Sequence, residues 1–189
     1  MAIIDWIYPK KCLGCQIRGR YFCLECQRGI GRRGESLEYR GIVRYGIKEI
    51  KYRGMYDLVS ELVEIWHPGR PEGEIVVTSV PMWQSKRWWR GYNQAELIAK
   101  EVAKRWGVEY LETLVRNRET RPMYGLKKSE RLENVRGAFE INVHRLQIAN
   151  VHKLILIDDV WTSGATIQEC KRVLKRAGWK MVIPMALAS

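Results

Sequence analysis

The C-terminal part of the chain carries a strand, helix, strand pattern, which constrains the fold more than any other feature. Lys153–Ile157 and Met181–Leu187 are short apolar runs typical of buried strands. The segment between them has apolar residues at helical spacing and is ended by Gly178. Those apolar residues are Ile167, Cys170, Val173, Leu174 and Ala177. Because such a unit nearly always has its two strands parallel, the sequence predicts an α/β fold with a mainly parallel sheet flanked by helices.

The residues before this unit predict more elements of the same domain. A helix is expected to begin near Asn93, whose side chain can cap it. Leu111–Arg136 is polar and rich in arginine, and its length is typical of a functional flap that moves. Three other elements are predicted: a short strand at Gly41–Gly46, a helix over Met55–Trp66 from its apolar periodicity, and a buried strand at Ile75–Val80 from its β-branched run ended by Pro81.

Four cysteines near the N-terminus form two CxxC pairs separated by seven residues: Cys12, Cys15, Cys23 and Cys26. Two such pairs can place four thiolates around one tetrahedral zinc ion. Disulfides are the alternative, but cytoplasmic thiols stay reduced, and a module without its own core gains stability from a metal. We therefore predict a structural zinc module at residues 1–38 and a second domain at 39–189. Cys170, on a predicted helix face, is expected to be an inert buried thiol.

A polar loop joins the strand at Lys153–Ile157 to the next helix. Its residues, all predicted to bind ligand, are Asp158, Asp159, Val160, Trp161, Thr162, Ser163, Gly164, Ala165 and Thr166. The backbone N–H groups and hydroxyls at the helix start can enclose a phosphate, and Gly164 permits close approach. The two aspartates can accept hydrogen bonds from ribose hydroxyls or face a magnesium ion. The start of an ordinary helix needs only one capping residue. The larger number of polar groups in this loop therefore favours a ligand-binding loop.

The charge balance favours polyanionic partners. Thirty-three basic and twenty-one acidic residues give a net charge of +12. Met82–Asn93 contains three cations and no acid, together with the aromatic residues Trp83, Trp88, Trp89 and Tyr92. This mixture is typical of sequence-tolerant binding to single strands. The alternative is that several of these tryptophans pack in the core.

The N-terminus and the apolar runs bear on localisation. No apolar stretch approaches the roughly 20 residues that a membrane helix needs. Met1–Pro9 is interrupted by Asp5 and followed by Lys10 and Lys11, which is not the pattern of a secretory signal. We therefore expect a cytoplasmic protein that does not insert into membranes.

The chain resembles the type I phosphoribosyltransferases and, more narrowly, the ComF family of bacterial competence proteins, also called ComFC. The resemblance covers nearly the whole chain. The motifs that carry it are the paired CxxC module, Lys51-Tyr52-Arg53-Gly54, Val80-Pro81, Arg90 to Leu97, Arg131 with Asn134, Ala138-Phe139 and Asp158 to Thr166.

This resemblance implies a phosphoribosyltransferase-like fold and a site for phosphoribosyl pyrophosphate with Mg²⁺. It implies Asp158 and Asp159 as catalytic residues, a pyrophosphate contact after Val80-Pro81 and a mobile cover at Leu114–Arg136. Pyrophosphate needs cations and amides, and this chain can supply them. The residues assigned to pyrophosphate or nucleic acid are Lys86, Arg87, Arg90, Asn93, Arg116 and Arg118, with Arg121 as a further cation.

Two departures from the family pattern affect the expected chemistry. Met123 stands where the family commonly has Gln, so any polar contact of that Gln is lost. Thr162 stands where purine-salvage enzymes have an Asp as base candidate, and a hydroxyl lacks a suitable pKa for that role, which disfavours transfer to a purine.

Three functions stay open at this point. The first is a competence protein that binds phosphoribosyl pyrophosphate and single-stranded DNA, with a helicase or other DNA-processing protein as partner. The second is an active phosphoribosyltransferase with a pyrimidine or unidentified acceptor. The third is a non-catalytic sensor of phosphoribosyl pyrophosphate.

Overall fold

The computed structural model describes residues 9–121, 125–143 and 153–189. The prediction about the secretory signal concerns Met1–Pro9, of which residues 1–8 lie outside the described residues, as does the departure at Met123. The helices are α1 (Leu24–Arg28), α2 (Gly41–Arg53), α3 (Leu58–Trp66), α4 (Gln84–Arg90), α5 (Gln94–Trp106), α6 (Lys128–Val135) and α7 (Ala165–Arg176). The strands are β1 (Arg32–Arg33), β2 (Ser36–Leu37), β3 (Val76–Ser79), β4 (Leu114–Arg116), β5 (Phe139–Ile141), β6 (Lys153–Val160) and β7 (Met181–Ala188).

The central sheet has five strands in the order β1-β2-β7-β6-β3. Only the β1–β2 pair is antiparallel, whereas β2, β7, β6 and β3 are mutually parallel neighbours. Val76 pairs with Leu154 and Ser79 with Ile157, so β3 and β6 end close together. The prediction of a mainly parallel α/β sheet flanked by helices is confirmed.

Two apolar clusters cover the two faces of the sheet. One is built from α2, α3 and α5, with the fully buried Trp66 and Ile98. The other is built from α7, β5 and the end of α6, with Phe139 and Leu174. The strands β3 and β6 are buried on both faces, which explains their nearly continuous apolar sequences.

Most of the predicted elements form for the expected reasons. Asn93 Oδ1 accepts a hydrogen bond from the backbone N–H of Ala95 at 3.2 Å and so caps α5, and Gly107 ends that helix with a φ of 65°. The predicted strand at Gly41–Gly46 is wrong, because these residues begin helix α2. Val43, Ile47 and Ile50 lie one helical turn apart and are buried together, a period that the short window did not show.

The predicted flap holds ordered elements. Its strand β4 pairs antiparallel with β5, and α6 packs on α7. Movement of this segment stays a prediction. Within the described residues, no helix is both long enough and apolar enough to cross a bilayer.

The N-terminal residues contact the main sheet directly. Leu37 in β2 is fully buried and pairs with Ala188 in β7. Phe22 is fully buried in the same apolar cluster as α2 and α3. The domain division at residue 38 stays a prediction, and β2, on its N-terminal side, is a strand of the main sheet.

Candidate functional site

The predicted binding loop lies at the carboxyl end of β6, which extends through Asp158 and Asp159 to Val160. Gly164 has a φ of 74° and precedes the first residue of α7. A Cβ at this position would lie 2.9 Å from Trp161 Nε1, so the turn requires glycine. The loop lines a hollow of about 30 Å³ with Asp158 and the residues from Val160 to Ile167. This is room for about two waters, since one water needs about 10–15 Å³.

Asp159 is buried and holds two partners from distant parts of the chain. Lys51 Nζ, at the end of α2, lies 2.6 Å from Asp159 Oδ2. Gln94 Nε2, at the start of α5, donates to the same oxygen at 2.9 Å. Although burial favours the neutral amine, the Asp159 carboxylate raises the pKa of Lys51. Three separated sequence motifs thus meet at one carboxylate.

Lys51 and Gln94 were not among the predicted site residues. Both lie inside the motifs that carry the family resemblance, Lys51 to Gly54 and Arg90 to Leu97. That membership was the available signal. Nothing in local periodicity indicates that either side chain reaches Asp159, because the contacts are tertiary.

Asp158 has a different environment from its neighbour. Its Oδ1 accepts a hydrogen bond from the backbone N–H of Asp159 at 2.8 Å. Burial, followed by the negative charge of Asp159, raises the pKa of Asp158 to about 7. The pair therefore combines an ion-paired carboxylate with one that gains or loses a proton near neutral pH.

Two of the predicted arginines lie close to the aspartates. Arg90 Nη1 donates to Gln94 Oε1 at 2.6 Å, and its guanidinium lies 5.7 Å from the centre of the Tyr52 ring. Arg116 donates to the Thr120 hydroxyl, and burial lowers the pKa of Arg116. The Nε atoms of both arginines are buried without a hydrogen-bond partner among the described residues. Each arginine thus keeps one N–H group for which the described protein gives no acceptor.

Other predicted pyrophosphate residues are engaged in structural contacts. Arg87 forms ion pairs with Glu96 and Glu112, both at 3.0 Å. Asn93 Nδ2 donates to the carbonyl of Val80 at 2.9 Å, in addition to capping α5. Arg118 donates to the carbonyls of Asn134 and Arg136, and Lys86 is exposed. The arginine contacts stabilise the fold around the site, and pyrophosphate binding by these residues stays a prediction.

Helix α4 contains two residues of the aromatic cluster, Trp88 and Trp89, with Trp83 directly before the helix and Tyr92 two residues after it. Trp88 and Trp89 are 85% and 75% exposed, whereas Trp83 is half-buried. Exposing two adjacent tryptophans forfeits much apolar burial. Core packing, the alternative for these residues, therefore does not apply to Trp88 or Trp89.

The four N-terminal cysteines form one cluster. Their Sγ atoms all lie within 4.8 Å of one another, and those of Cys15 and Cys23 are 3.5 Å apart. Sulfurs around a tetrahedral zinc are about 3.8 Å apart, given Zn–S bonds of about 2.3 Å. The donor set and its spacing therefore fit a metal ion.

The thiol pKa values also fit a cation. Burial acts to raise the pKa of Cys12, but backbone N–H groups of Cys15, Cys23 and Gly14 outweigh it and lower that pKa to about 6. Hydrogen bonding with Cys23 and the other thiols raises the pKa of Cys26 to about 12. Four thiolates this close repel one another, so a bound cation is needed to keep all four ionised.

Comparison with known proteins gives sequence relatives. No protein-family model matches the chain. Competence protein F of Haemophilus influenzae is 28% identical over 113 residues, covering 59% of this chain and 49% of that protein. DNA utilization protein YhgH of Escherichia coli K12 is 28% identical over 141 residues, covering 70% and 60%. The match thus spans about half to three fifths of the length of these two relatives.

A further relative is matched over more of its length. Competence protein ComFC of Streptococcus pneumoniae is 29% identical over 184 residues, covering 94% of this chain and 74% of that protein.

Solved structures are similar to this chain at lower sequence identity. A glutamine phosphoribosylpyrophosphate amidotransferase from B. subtilis has a TM-score of 0.43 at 16% identity, over 70% of this chain and 25% of that chain. An adenine phosphoribosyltransferase from Thermoanaerobacter pseudethanolicus has a TM-score of 0.36 at 12% identity, over 74% and 83%. The sequence resemblance predicted from the motifs is confirmed by the named relatives: this chain is a homologue of the competence proteins F and ComFC and of the DNA utilization proteins YhgH.

Proposed function

We propose that the chain is a competence-type protein for the use of incoming DNA, and that its loop at Asp158–Thr166 binds phosphoribosyl pyrophosphate. The observation that carries the proposal is the convergence of Lys51, Gln94 and Asp159 beside this loop. The relatives are competence and DNA utilization proteins by name, which supports the cellular role.

The site offers separate groups for each part of that ligand. The hollow and the N-terminus of α7 suit the 5-phosphate. The carboxylates of Asp158 and Asp159 suit the ribose hydroxyls. The guanidinium groups of Arg90 and Arg116, which lie near Gln94 and Thr120, suit pyrophosphate oxygens.

Magnesium would accompany the pyrophosphate. Lys51 already neutralises Asp159, which leaves Asp158 as the carboxylate without a cationic partner among the described residues. Mg²⁺ commonly binds through one or two carboxylates together with substrate phosphates. When bound, it would neutralise pyrophosphate charge.

Calorimetry with phosphoribosyl pyrophosphate and Mg²⁺ tests this proposal. We expect measurable binding to the wild type and at least a tenfold weaker affinity for Asp158→Asn/Asp159→Asn, about 1.4 kcal/mol or more. Glu74→Gln is the matched control, since this exposed carboxylate precedes β3 at the opposite edge of the sheet. Equal isotherms for the wild type and the double variant would refute the site.

We also propose that the exposed face of α4 binds single-stranded DNA. Trp88 and Trp89 offer flat rings for bases and Lys86 a cation for phosphate, and α4 contains no acid. Stacking of this kind tolerates any base sequence, as required of a protein that handles foreign DNA. A helicase or another DNA-processing protein is the further partner that the family resemblance suggests.

An active phosphoribosyltransferase is the second candidate, and two observations favour it. Asp158, with its pKa raised to about 7, is suited to proton transfer near neutral pH. A pocket of about 430 Å³ adjoins the loop and shares Val160, Trp161 and Thr162 with it. Release of pyrophosphate in the presence of pyrimidine acceptors would support the enzyme. Binding without any release would favour the competence role or a sensor.

A further inference from the structure

A second basic and aromatic surface lies on helix α2. Its exposed residues include Arg44, Tyr45, Lys48 and Tyr52. With about 3.6 residues per turn, these four lie within an arc of about 100° on one face of the helix. Glu49, the acid of α2, is buried and pairs with Arg53, so this face carries no acid.

The cations of this face are available to a ligand. Neither Arg44 nor Lys48 forms an ion pair with a described residue, in contrast to Arg87, which has two acidic partners. Tyr45 and Tyr52 are 42% and 67% exposed. Cations alternating with exposed rings fit a strand of phosphates and unpaired bases better than a protein or a duplex.

This face meets helix α4 at the candidate site. Tyr52 lies under the guanidinium of Arg90, the last residue of α4. Tyr56, also largely exposed, contacts the Tyr92 ring edge-on at 6.0 Å between centroids. Lys51, one residue before Tyr52, reaches Asp159. The junction between the two helices therefore lies next to the aspartate pair.

We infer that α2 and α4 form one continuous track for single-stranded nucleic acid, and that a bound strand passes over the mouth of the aspartate site. The inference rests on the proposed binding of DNA by α4 and extends that binding surface to the exposed face of α2. It follows that the strand and phosphoribosyl pyrophosphate compete. Arg90 and Tyr52, which belong to the track, are direct neighbours of Gln94 and Lys51, which hold Asp159.

The first test measures the anisotropy of a labelled oligo-dT as it binds wild type and variants over a range of salt. Arg44→Ala/Lys48→Ala should weaken binding and reduce the salt slope by about 1.4, since each phosphate contact on a single strand contributes about 0.7. Lys175→Ala/Arg176→Ala is the matched control, because it removes the same charge from exposed positions of α7 and should leave the slope unchanged.

The outcomes separate this inference from the proposed function. Trp88→Ala/Trp89→Ala should weaken binding at least about fivefold per stacked ring. If only this variant loses affinity, α4 binds the strand and the extension to α2 is refuted. If the α2 variant and the α7 control lose affinity equally, net charge explains the loss and the track is likewise refuted.

The second test addresses competition. Saturating phosphoribosyl pyrophosphate with Mg²⁺ should lower the affinity for oligo-dT severalfold in the wild type, and magnesium chloride at equal ionic strength serves as the control. Calorimetry establishes independently that the ligand binds. If it binds and oligo-dT affinity does not change, the strand does not cover the site and the inference is overturned.

Discussion

Two adjacent aspartates at the end of β6 illustrate how environment divides identical side chains. Asp159 has Lys51 and Gln94 on one oxygen, so its charge is compensated within the protein. Asp158 is desolvated beside that charge, which raises its pKa to about 7. Without ligand, the site therefore stores an unfavourable interaction in the ionised form of Asp158, and a hydroxyl donor or a cation would relieve it.

The stability of the folded protein should depend on pH through the Asp158 carboxyl. The Asp158 carboxyl ionises at about 7 in the folded protein and at its ordinary value of 3.8 in the unfolded chain. The folded state therefore binds more protons between these values, so the free energy of unfolding falls as pH rises from about 4 to about 7. The difference corresponds to at most about 4 kcal/mol.

Asp158→Asn should remove most of this decline in the free energy of unfolding. At pH values above about 7, the ligand-free variant should therefore melt at a higher temperature than the ligand-free wild type. Thermal unfolding at about pH 5 and about pH 8 measures it, with Glu74→Gln as the control that keeps the wild-type trend. A variant that declines as steeply as the wild type would show that Asp158 is not the titrating group.

At the scale of elements, the N-terminal segment contrasts with the sheet. Its elements are a five-residue helix and two strands of two residues each, and α1 has no buried residue. Such short pieces bury too little apolar area to fix four thiols at close range. The cluster of Cys12, Cys15, Cys23 and Cys26 therefore needs another source of order, which a metal ion held by the four thiolates would supply.

Metal analysis provides the corresponding prediction. Purified protein should contain about one zinc per chain, and Cys12→Ser/Cys15→Ser should abolish it because two ligands cannot hold the ion. Cys170→Ala is the control, since this buried thiol lies on α7 away from the cluster. A stably folded wild type without metal, or a double variant that keeps its zinc, would contradict a structural zinc site.

The elements also show how far sequence reasoning extends. Six elements carry a local signal in the sequence and were predicted. Apolar residues at helical spacing mark α3, α5 and α7, and short apolar runs mark β3, β6 and β7. Helix α2 was missed because Gly41–Gly46 is a mainly apolar run of six residues, a window too short to show a helical period. The binding loop was visible as a motif, whereas the Gln94–Asp159 contact joins residues 65 positions apart and has no local signal.

At the scale of the whole molecule, the cysteine segment is attached to the α/β domain by apolar and polar contacts together. Phe22 is buried against α2, and its backbone N–H donates to Glu61 Oε2 on α3 at 3.1 Å. Arg20 and Lys10 form ion pairs with the same carboxylate at 3.8 Å. We expect the segment and the domain to unfold as one cooperative unit.

Phe22→Ala tests this coupling. Loss of a fully buried Phe should lower the free energy of unfolding by about 3–5 kcal/mol, whereas Leu24→Ala, which is 70% exposed, should change it by less than about 0.5 kcal/mol. Chemical denaturation followed by far-ultraviolet dichroism measures both. If Phe22→Ala leaves the midpoint of the domain unchanged, the coupling is disproved.

The contact between Phe22 and α2 leaves no space at Gly46, where a Cβ would lie 2.8 Å from the Phe22 ring. One added methyl group at this position would push the ring outward without altering a cysteine, an aspartate or an exposed aromatic residue. Gly46→Ala is accordingly a candidate temperature-sensitive variant: at low temperature the N-terminal segment would stay packed on the domain, and on warming it would detach while the residues of the proposed binding site stay unchanged.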